Sequence, residues 1–403
     1  MTKSQLFRFN FMMTGRILLL VVAMMVFLVL TPHPAQGQTY SVLYSFKGGP
    51  DGESPEGTLA RDGAGNLFGI TCCGGTNKEG TVFKLNSKTG RKVTLHSFTG
   101  TAGDGKEPTG GLVRDAAGNL YGTTRNGGAY GTGGVFKVER TGTFSMLYSF
   151  CSQPSCADGS LPSGLIRDPA GNLYGIAEIG GAHNNTGVVF KVDATGNETV
   201  LYSFCNQPLC ADGAYPIAGL VGDAAGNLYG VTSAGGANNL GVVFKLDSTG
   251  TFTVLYSWDA GVTPYGLIPS TLSRDAAGNL YGTTRYGGDF TCDFRGCGTV
   301  YKIDASGTET LLHTFIGGDD GAYPNTGVIE DAAGNLYGTE MGMIFKLDPT
   351  GNETVLYAFC SQPSCADGFY PLSRLIQDSA GNFYGTASHG GLGFGVVFKI
   401  SFP

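Results

Sequence analysis

GLVRDAAGNLYGTTRNGGAYGTGGVFKVERTGTFSMLYSF, residues 111–150, holds four short apolar runs separated by turn residues: Gly111–Asp115, Asn119–Thr124, Gly134–Val138 and Phe144–Phe150. Each run is too short for a helix and rich in Val, Phe, Tyr and Thr, so each predicts a strand. Asp115-Ala116-Ala117-Gly118-Asn119 joins the first two, and Glu139-Arg140-Thr141-Gly142 joins the last two. Both are hairpin chemistry, with a glycine free to take the positive φ of a tight turn. The stretch predicts one four-stranded antiparallel meander.

The signature Asp-x-Ala-Gly-Asn-(Leu/Phe)-(Tyr/Phe)-Gly recurs from Asp62, Asp115, Asp168, Asp223, Asp275, Asp331 and Asp378, at intervals of 53, 53, 55, 52, 56 and 47 residues. The third strand recurs around Phe83, Phe136, Phe190, Phe244, Tyr301, Phe345 and Phe398. The fourth follows its own third strand only six times, ending at Phe98, Phe150, Phe204, Trp258, Phe315 and Phe359. Its seventh copy is Val42-Leu43-Tyr44-Ser45-Phe46, at the opposite end of the chain. Four-stranded units at this period predict an all-β, seven-bladed β-propeller. The early strand would complete the last blade and remove two unpaired edges. A β-solenoid is the rival, and it has no need of a split blade.

Residues 1–37 carry the marks of an export signal: Lys3, Arg8 and Arg16, then the apolar run Ile17–Leu30, then Ala35-Gln36-Gly37. The apolar run is short for a membrane span, so cleavage before Gln38 is expected, with an uncleaved anchor as the alternative. No Cys near the junction marks a lipoprotein. The propeller then occupies residues 38–403, with a net charge of about −10 once the three signal cations are lost. Acidic and without Lys/Arg clusters, it is a poor partner for nucleic acid or an anionic membrane. A secreted, periplasmic or cell-surface monomer is expected.

Eight of the ten cysteines form C-x4-C pairs: Cys151/Cys156, Cys205/Cys210, Cys292/Cys297 and Cys360/Cys365. In an exported chain these read as local disulfides that stiffen single loops. Zinc is the alternative, with looser spacing than its paired-Cys sites use. Cys72 and Cys73 are adjacent and read as free thiols or a vicinal disulfide.

In a propeller meander the first-to-second and third-to-fourth turns share one face, and both are short here. The other face receives the second-to-third and blade-to-blade loops, including all ten cysteines. Binding residues concentrate on such loops. Asp51, Asp104, Asp158, Asp212, Asp320 and Asp367 open an Asp-Gly-x-x-Pro motif there, either as a recurrent turn or as a carboxylate ring for Ca²⁺. Tyr215, Tyr265, Tyr286, Tyr323, Phe369 and Tyr370 are candidate stacking surfaces for a sugar or a protein, or else fill the gaps between blades. Glu340 replaces the Thr or Ala of other copies beside a shortened loop, as a rim contact or as drift. His183 and His389 lie in second-to-third loops, whereas His96 and His313 replace the fourth-strand Tyr at the core edge. No nucleophile elbow, phosphate loop or His-rich metal motif appears, so no catalytic residue is assigned.

The NLYGTT, GG, GVVFK and LYSF blocks resemble the GloVer tandem repeats of exported bacterial proteins, over essentially all of residues 40–402. The Asp-x-x-Gly-Asn-Leu-Tyr block is also similar to NHL and gluconolactonase-like propellers. The first resemblance implies export and supplies no reaction. The reading that results is a binding or surface-interaction module, its partner an extracellular glycan or protein, with no cofactor unless Ca²⁺. A lactonase- or lyase-type enzyme with its site at the channel mouth is the alternative, and a structural envelope component is the second.

Overall fold

The computed structural model describes residues 37–258 and 268–403. Residues 1–36 of the expected export segment and the candidate Tyr265 lie outside the described residues. Among the described residues the protein is all-β, and its helical pieces are three-residue 3-10 turns such as Pro154–Cys156.

Each repeat folds as an antiparallel meander in chain order. In the second, the strands are Gly105–Arg114, Leu120–Gly127, Gly134–Val138 and Phe144–Ser149. The first begins at Gly105, earlier than Gly111, because a register slip between Thr109 and Val113 carries the chain past its two glycines without ending the pairing. The inner strands of the second and third repeats approach too closely for a side chain at Gly110. A Cβ on Gly110, whose φ is +74°, would lie 2.3 Å from the Gly164 backbone nitrogen.

The repeat signature is a self-contained clamp. Asp115 accepts hydrogen bonds from the Asn119 backbone N–H at 2.8 Å, the Asn119 side-chain amide at 2.8 Å and the Tyr121 hydroxyl at 3.1 Å. Burial works against the charge, but these donors outweigh it and hold the carboxyl below its ordinary range. The following Gly122 leaves room for the third-strand aromatic, since a Cβ would sit 2.5 Å from the Phe136 ring.

The apolar core lies between successive sheets. Val82 and Phe98 of the first repeat pack with Leu120 and Phe136 of the second, and the pattern continues from repeat to repeat. A further cluster joins Leu59 and Phe83 of the first repeat to Tyr384 and Val397 of the last, with Phe46 between them. Thr39–Ser45 runs antiparallel to Val396–Ser401, pairing Tyr40 with Ile400 and Val42 with Phe398. The split fourth strand therefore completes the last sheet.

Candidate functional site

The six motif aspartates are each engaged by their own loop. Asp158 accepts from the Tyr148 hydroxyl at 2.7 Å and the Ser152 N–H at 2.9 Å. Asp212 takes Tyr202 at 2.6 Å and the Asn206 N–H at 2.9 Å, and Asp367 takes Tyr357 at 2.7 Å and the Ser361 N–H at 3.0 Å. Asp104 accepts from the Thr99 N–H at 2.9 Å and holds His96 Nε2 at 3.1 Å, and Asp51 accepts from the Lys47 N–H at 2.9 Å and pairs with Lys92 Nζ of the next fourth strand at 3.0 Å. Asp320 accepts from the Ile316 N–H at 2.7 Å. Among the described residues, no cluster of metal-type side chains draws on two of these aspartates, so they form loop anchors rather than a shared ring.

All four C-x4-C pairs are disulfides: Cys151–Cys156, Cys205–Cys210, Cys292–Cys297 and Cys360–Cys365. Sulfurs bonded to each other leave no thiolate for zinc, which removes that alternative. Each bridge closes its own short loop, as expected, and the backbone carbonyl of the second cysteine adds contacts beyond that loop. The Cys210 carbonyl accepts from the N–H of Gly213 and of Gly236, both at 2.9 Å, and so ties the blade-to-blade loop to the second-to-third loop. Cys365 does the same with Gly368 at 2.9 Å and Gly391 at 3.0 Å, as Cys156 does with Gly159 and Gly181 at 2.9 Å. Cys297 is fully buried and belongs to the apolar cluster of Val300, Phe315 and Phe345, so its bridge is part of the core between the fifth and sixth repeats. Spacing alone could not reveal these contacts, because their partners lie in other loops. Cys72 and Cys73 are free, with their sulfurs 2.6 Å apart.

Of the candidate aromatics, Tyr215 is exposed and Tyr323 half-buried, while Phe369 and Tyr370 pack edge-to-face at 5.2 Å. Tyr286 is corrected: it is only 9% exposed, with the Arg295 guanidinium 4.3 Å over its ring and bonded to its hydroxyl at 2.8 Å. Glu340 is corrected as well. It is 2% exposed and accepts from the Ala322 N–H at 2.8 Å, filling the space of the shortened loop instead of facing a notch. His183 caps its own loop by accepting from the Thr186 hydroxyl at its carbonyl, 2.8 Å. His389 is exposed, its Nδ1 2.9 Å from the Ser388 hydroxyl.

The inner strands of all seven repeats line one cavity of about 340 Å³. Its wall mixes glycine, Ser and Thr, from Thr58 and Gly110 round to Ser270 and Thr326, with apolar residues such as Ile217, Ile268 and Leu372. Three lining side chains carry buried nitrogens without a hydrogen-bond partner: Arg285 Nε, Arg374 Nε and Asn325 Nδ2. Arg374 is walled by protein but reached by solvent through the cavity, and burial pushes its pKa down to about 10, so it stays cationic at neutral pH. The equivalent of Arg285 in the second repeat, Arg125, is neutralised by Glu178 at 2.8 Å. Arg285 has no such salt bridge among the described residues. Glu56 is the one carboxylate in the lining, its pKa raised by burial. Two guanidiniums against one carboxyl make this a net-positive pocket inside an acidic chain.

Counting back four residues from the signature aspartate, the position of Arg374 is Thr58, Gly111, Gly164, Gly219, Thr271 and Gly327 in the other repeats. That break in the pattern is legible without coordinates. Glu56, six residues before Asp62, is not such a break, because that position varies freely: Thr109, Pro162, Ile217, Pro269, Asn325 and Leu372 in the other repeats.

Four-stranded repeating sheets whose first strands share a central cavity define a propeller-type repeat protein. The profile of the Gloeobacter/Verrucomicrobia repeat matches residues 28–224, 154–292 and 224–403, and the chain belongs to that family. Its propeller-type structural neighbours include virginiamycin B lyase from Staphylococcus aureus, at TM-score 0.59 and 14% identity over 91% of this chain and 99% of that one. Another is the extracellular domain described as belonging to a one component system of B. thetaiotaomicron, at TM-score 0.60 and 10% identity. It is matched over 90% of this chain and 40% of its own. The extracellular domain of a hybrid two component system from the same organism follows, at TM-score 0.57 and 12% identity, over 89% of this chain and 41% of that one. A search of curated proteins finds no match. At these identities the likeness is one of fold. Extracellular neighbours and four disulfides suggest an exported protein.

Proposed function

We propose that the chain is a secreted or cell-surface binding module, a seven-bladed propeller closed by its N-terminal strand, that takes a small carboxylate or an acidic sugar residue in its axial cavity. The reading is carried by Arg374, a half-buried cation with a buried, unpartnered Nε and no salt bridge among the described residues, where six sister strands have Gly or Thr. A charge kept in that setting without a partner costs free energy, and an anionic ligand would return it. A uronate on an extracellular glycan fits the cavity volume and its hydroxyl-bearing wall. The ring closure draws support from the cluster that joins first and last repeats and from the strand pairing at Tyr40 and Ile400.

The enzyme alternative has less to stand on. Glu56 has no second carboxylate or histidine in the cavity lining, and His389 acts on it only from outside that lining. Cys72, hydrogen-bonded to it, is pushed up by burial and then by Glu56, opposite to the shift a nucleophile needs.

The test is calorimetry and thermal unfolding of residues 38–403 with glucuronate, galacturonate, acetate and inorganic phosphate, against neutral glucose. Arg374→Thr, which restores a residue its sister strands use, is the comparison. An acid-selective rise in midpoint that disappears in Arg374→Thr is expected. A chain indifferent to every acid, or one whose response survives that substitution, overturns the cavity reading, and indifference would favour an envelope component.

A further inference from the structure

The seams between neighbouring fourth strands follow one plan. A Tyr or His near the end of one strand meets the aspartate of the next loop, and both face the first residue of the following fourth strand. The residue at or next to that start varies: Lys92 neutralises Asp51, Phe144 stacks on His96 at 4.0 Å, Phe252 stacks on Tyr202 at 4.0 Å and Tyr40 on Tyr357 at 3.7 Å. Each of these covers or balances the charge beneath it.

Two seams put a glutamate in that place instead: Glu198 lies beside Asp158 between the second and third repeats, and Glu353 beside Asp320 between the fifth and sixth, where a histidine joins the pair. His313 Nε2 lies 3.2 Å from Asp320 Oδ1 and 3.9 Å from Glu353 Oε2, and one ligand atom from each residue falls within 4.8 Å of the others. The Glu353 side chain is only 9% exposed, and its carboxyl stands close to the His313 ring nitrogen and the Asp320 carboxyl in the same cluster. The His313 Nε2 atom is buried and lacks an aligned hydrogen bond. Asp320 can turn Oδ1 toward a ligand because its Oδ2 already accepts the Ile316 N–H at 2.7 Å. His96 and Asp104 repeat the first two members of this set, but Phe144 stands in the third place and their ring nitrogen and carboxylate bond to each other. Two carboxylates brought together out of water repel unless a proton or a cation lies between them.

We infer that His313, Asp320 and Glu353 form a divalent transition-metal site that ties the fifth repeat to the sixth. One imidazole nitrogen and two carboxylates suit Zn²⁺ or Mn²⁺, with water completing the shell; Ca²⁺ prefers oxygen alone. The ligands come from a fourth strand, the loop after it and the next fourth strand, Glu309–Thr314, Gly318–Asp320 and Glu353–Ala358. Metal bound there would therefore brace a seam, and the site stands independently of the axial cavity.

The experiment uses residues 38–403 stripped with chelator and titrated with Zn²⁺, Mn²⁺ and Ca²⁺, reading bound metal per chain and unfolding midpoint. The variants are His313→Tyr, the residue Tyr357 supplies at this position, and the near-isosteric Glu353→Gln. Wild type should bind one Zn²⁺ or Mn²⁺ with a raised midpoint, and either variant should lose at least about tenfold in affinity. Binding that survives in Glu353→Gln, or a wild type whose midpoint ignores Zn²⁺ and Mn²⁺, overturns the site. Should His313→Tyr fail to fold, the histidine ring resonances of the wild type decide. Zn²⁺ must move the His313 signal, and a shift confined to other histidines refutes the assignment.

Discussion

Glu198 begins a fourth strand in the position that Lys92 fills two repeats earlier, but it faces Asp158 with both carboxylate oxygens buried and unpartnered. Burial, and then Asp158, push its pKa up to about 7. A carboxyl whose folded pKa is raised stabilises fully below its unfolded value near 4.3, and that contribution is lost as pH rises through 7. The clamp aspartates, whose pKa values are lowered, weaken the fold only in stronger acid. Glu353, raised to about 9, slopes the same way as Glu198, so the assignment rests on the difference between wild type and a Glu198 variant. From Glu198 alone the unfolding midpoint should fall between pH 5 and 8 by on the order of 1–3 °C, a modest figure because the group is partly solvent-screened. Glu198→Phe, the choice already made at Phe144 and Phe252, should flatten the slope by that amount, and an unchanged slope in melts at constant ionic strength would refute the assignment. Individual side chains of this kind were the least readable part of the sequence. The clamp was visible as a motif because Asp115, Asn119 and Tyr121 are local partners. Glu198 and Asp158 are brought together only by packing between repeats, and so are His313 and Glu353. Arg374 is a different case, since its departure from Gly or Thr could be seen by aligning the copies.

Strands were legible where turn chemistry brackets them. The third strand of the second repeat, Gly134–Val138, lies where its apolar run ends on both sides. The inner strand was less so, because Pro108 and the pair Gly110-Gly111 look like a loop. They belong to a bulged strand at the sheet edge, where Pro removes no ladder bond that matters and glycine permits close approach. Gly110→Ala puts a methyl group 2.3 Å from the Gly164 nitrogen at a φ of +74°, a conformation that alanine resists. The expected cost is about 2 kcal/mol or more, because both strain and overlap act. Denaturant unfolding of Gly110→Ala beside an exposed-turn control such as Gly103→Ala checks it, since Gly103 has a similar positive φ but no neighbour in reach. Equal losses in the two variants would show that backbone strain alone matters and that the inner strands do not crowd one another.

At the scale of the molecule, the offset between third and fourth strands carried the decisive information, because a missing strand at one end and a spare one at the other are topological facts. The spare strand also supplies Phe46, fully buried between the first and last repeats, with Leu43 and Tyr44 against the same cluster. Deleting residues 38–46 would strip the partner from Val396–Ser401 and empty that cluster at once. Loss of a buried Phe costs about 3–5 kcal/mol, and an open strand edge invites pairing between chains. The truncated protein should therefore unfold at a much lower midpoint and elute as dimers or larger species, whereas the intact chain should elute as a monomer. A synthetic peptide covering Gln38–Gly48 should restore the monomer by adding the strand back in trans, since backbone pairing along an edge needs no covalent link. Size-exclusion chromatography with light scattering reads both results. If the truncated chain remained monomeric with its midpoint unmoved, the N-terminal strand would be an accessory to the last sheet, and a closed ring would lose its main support.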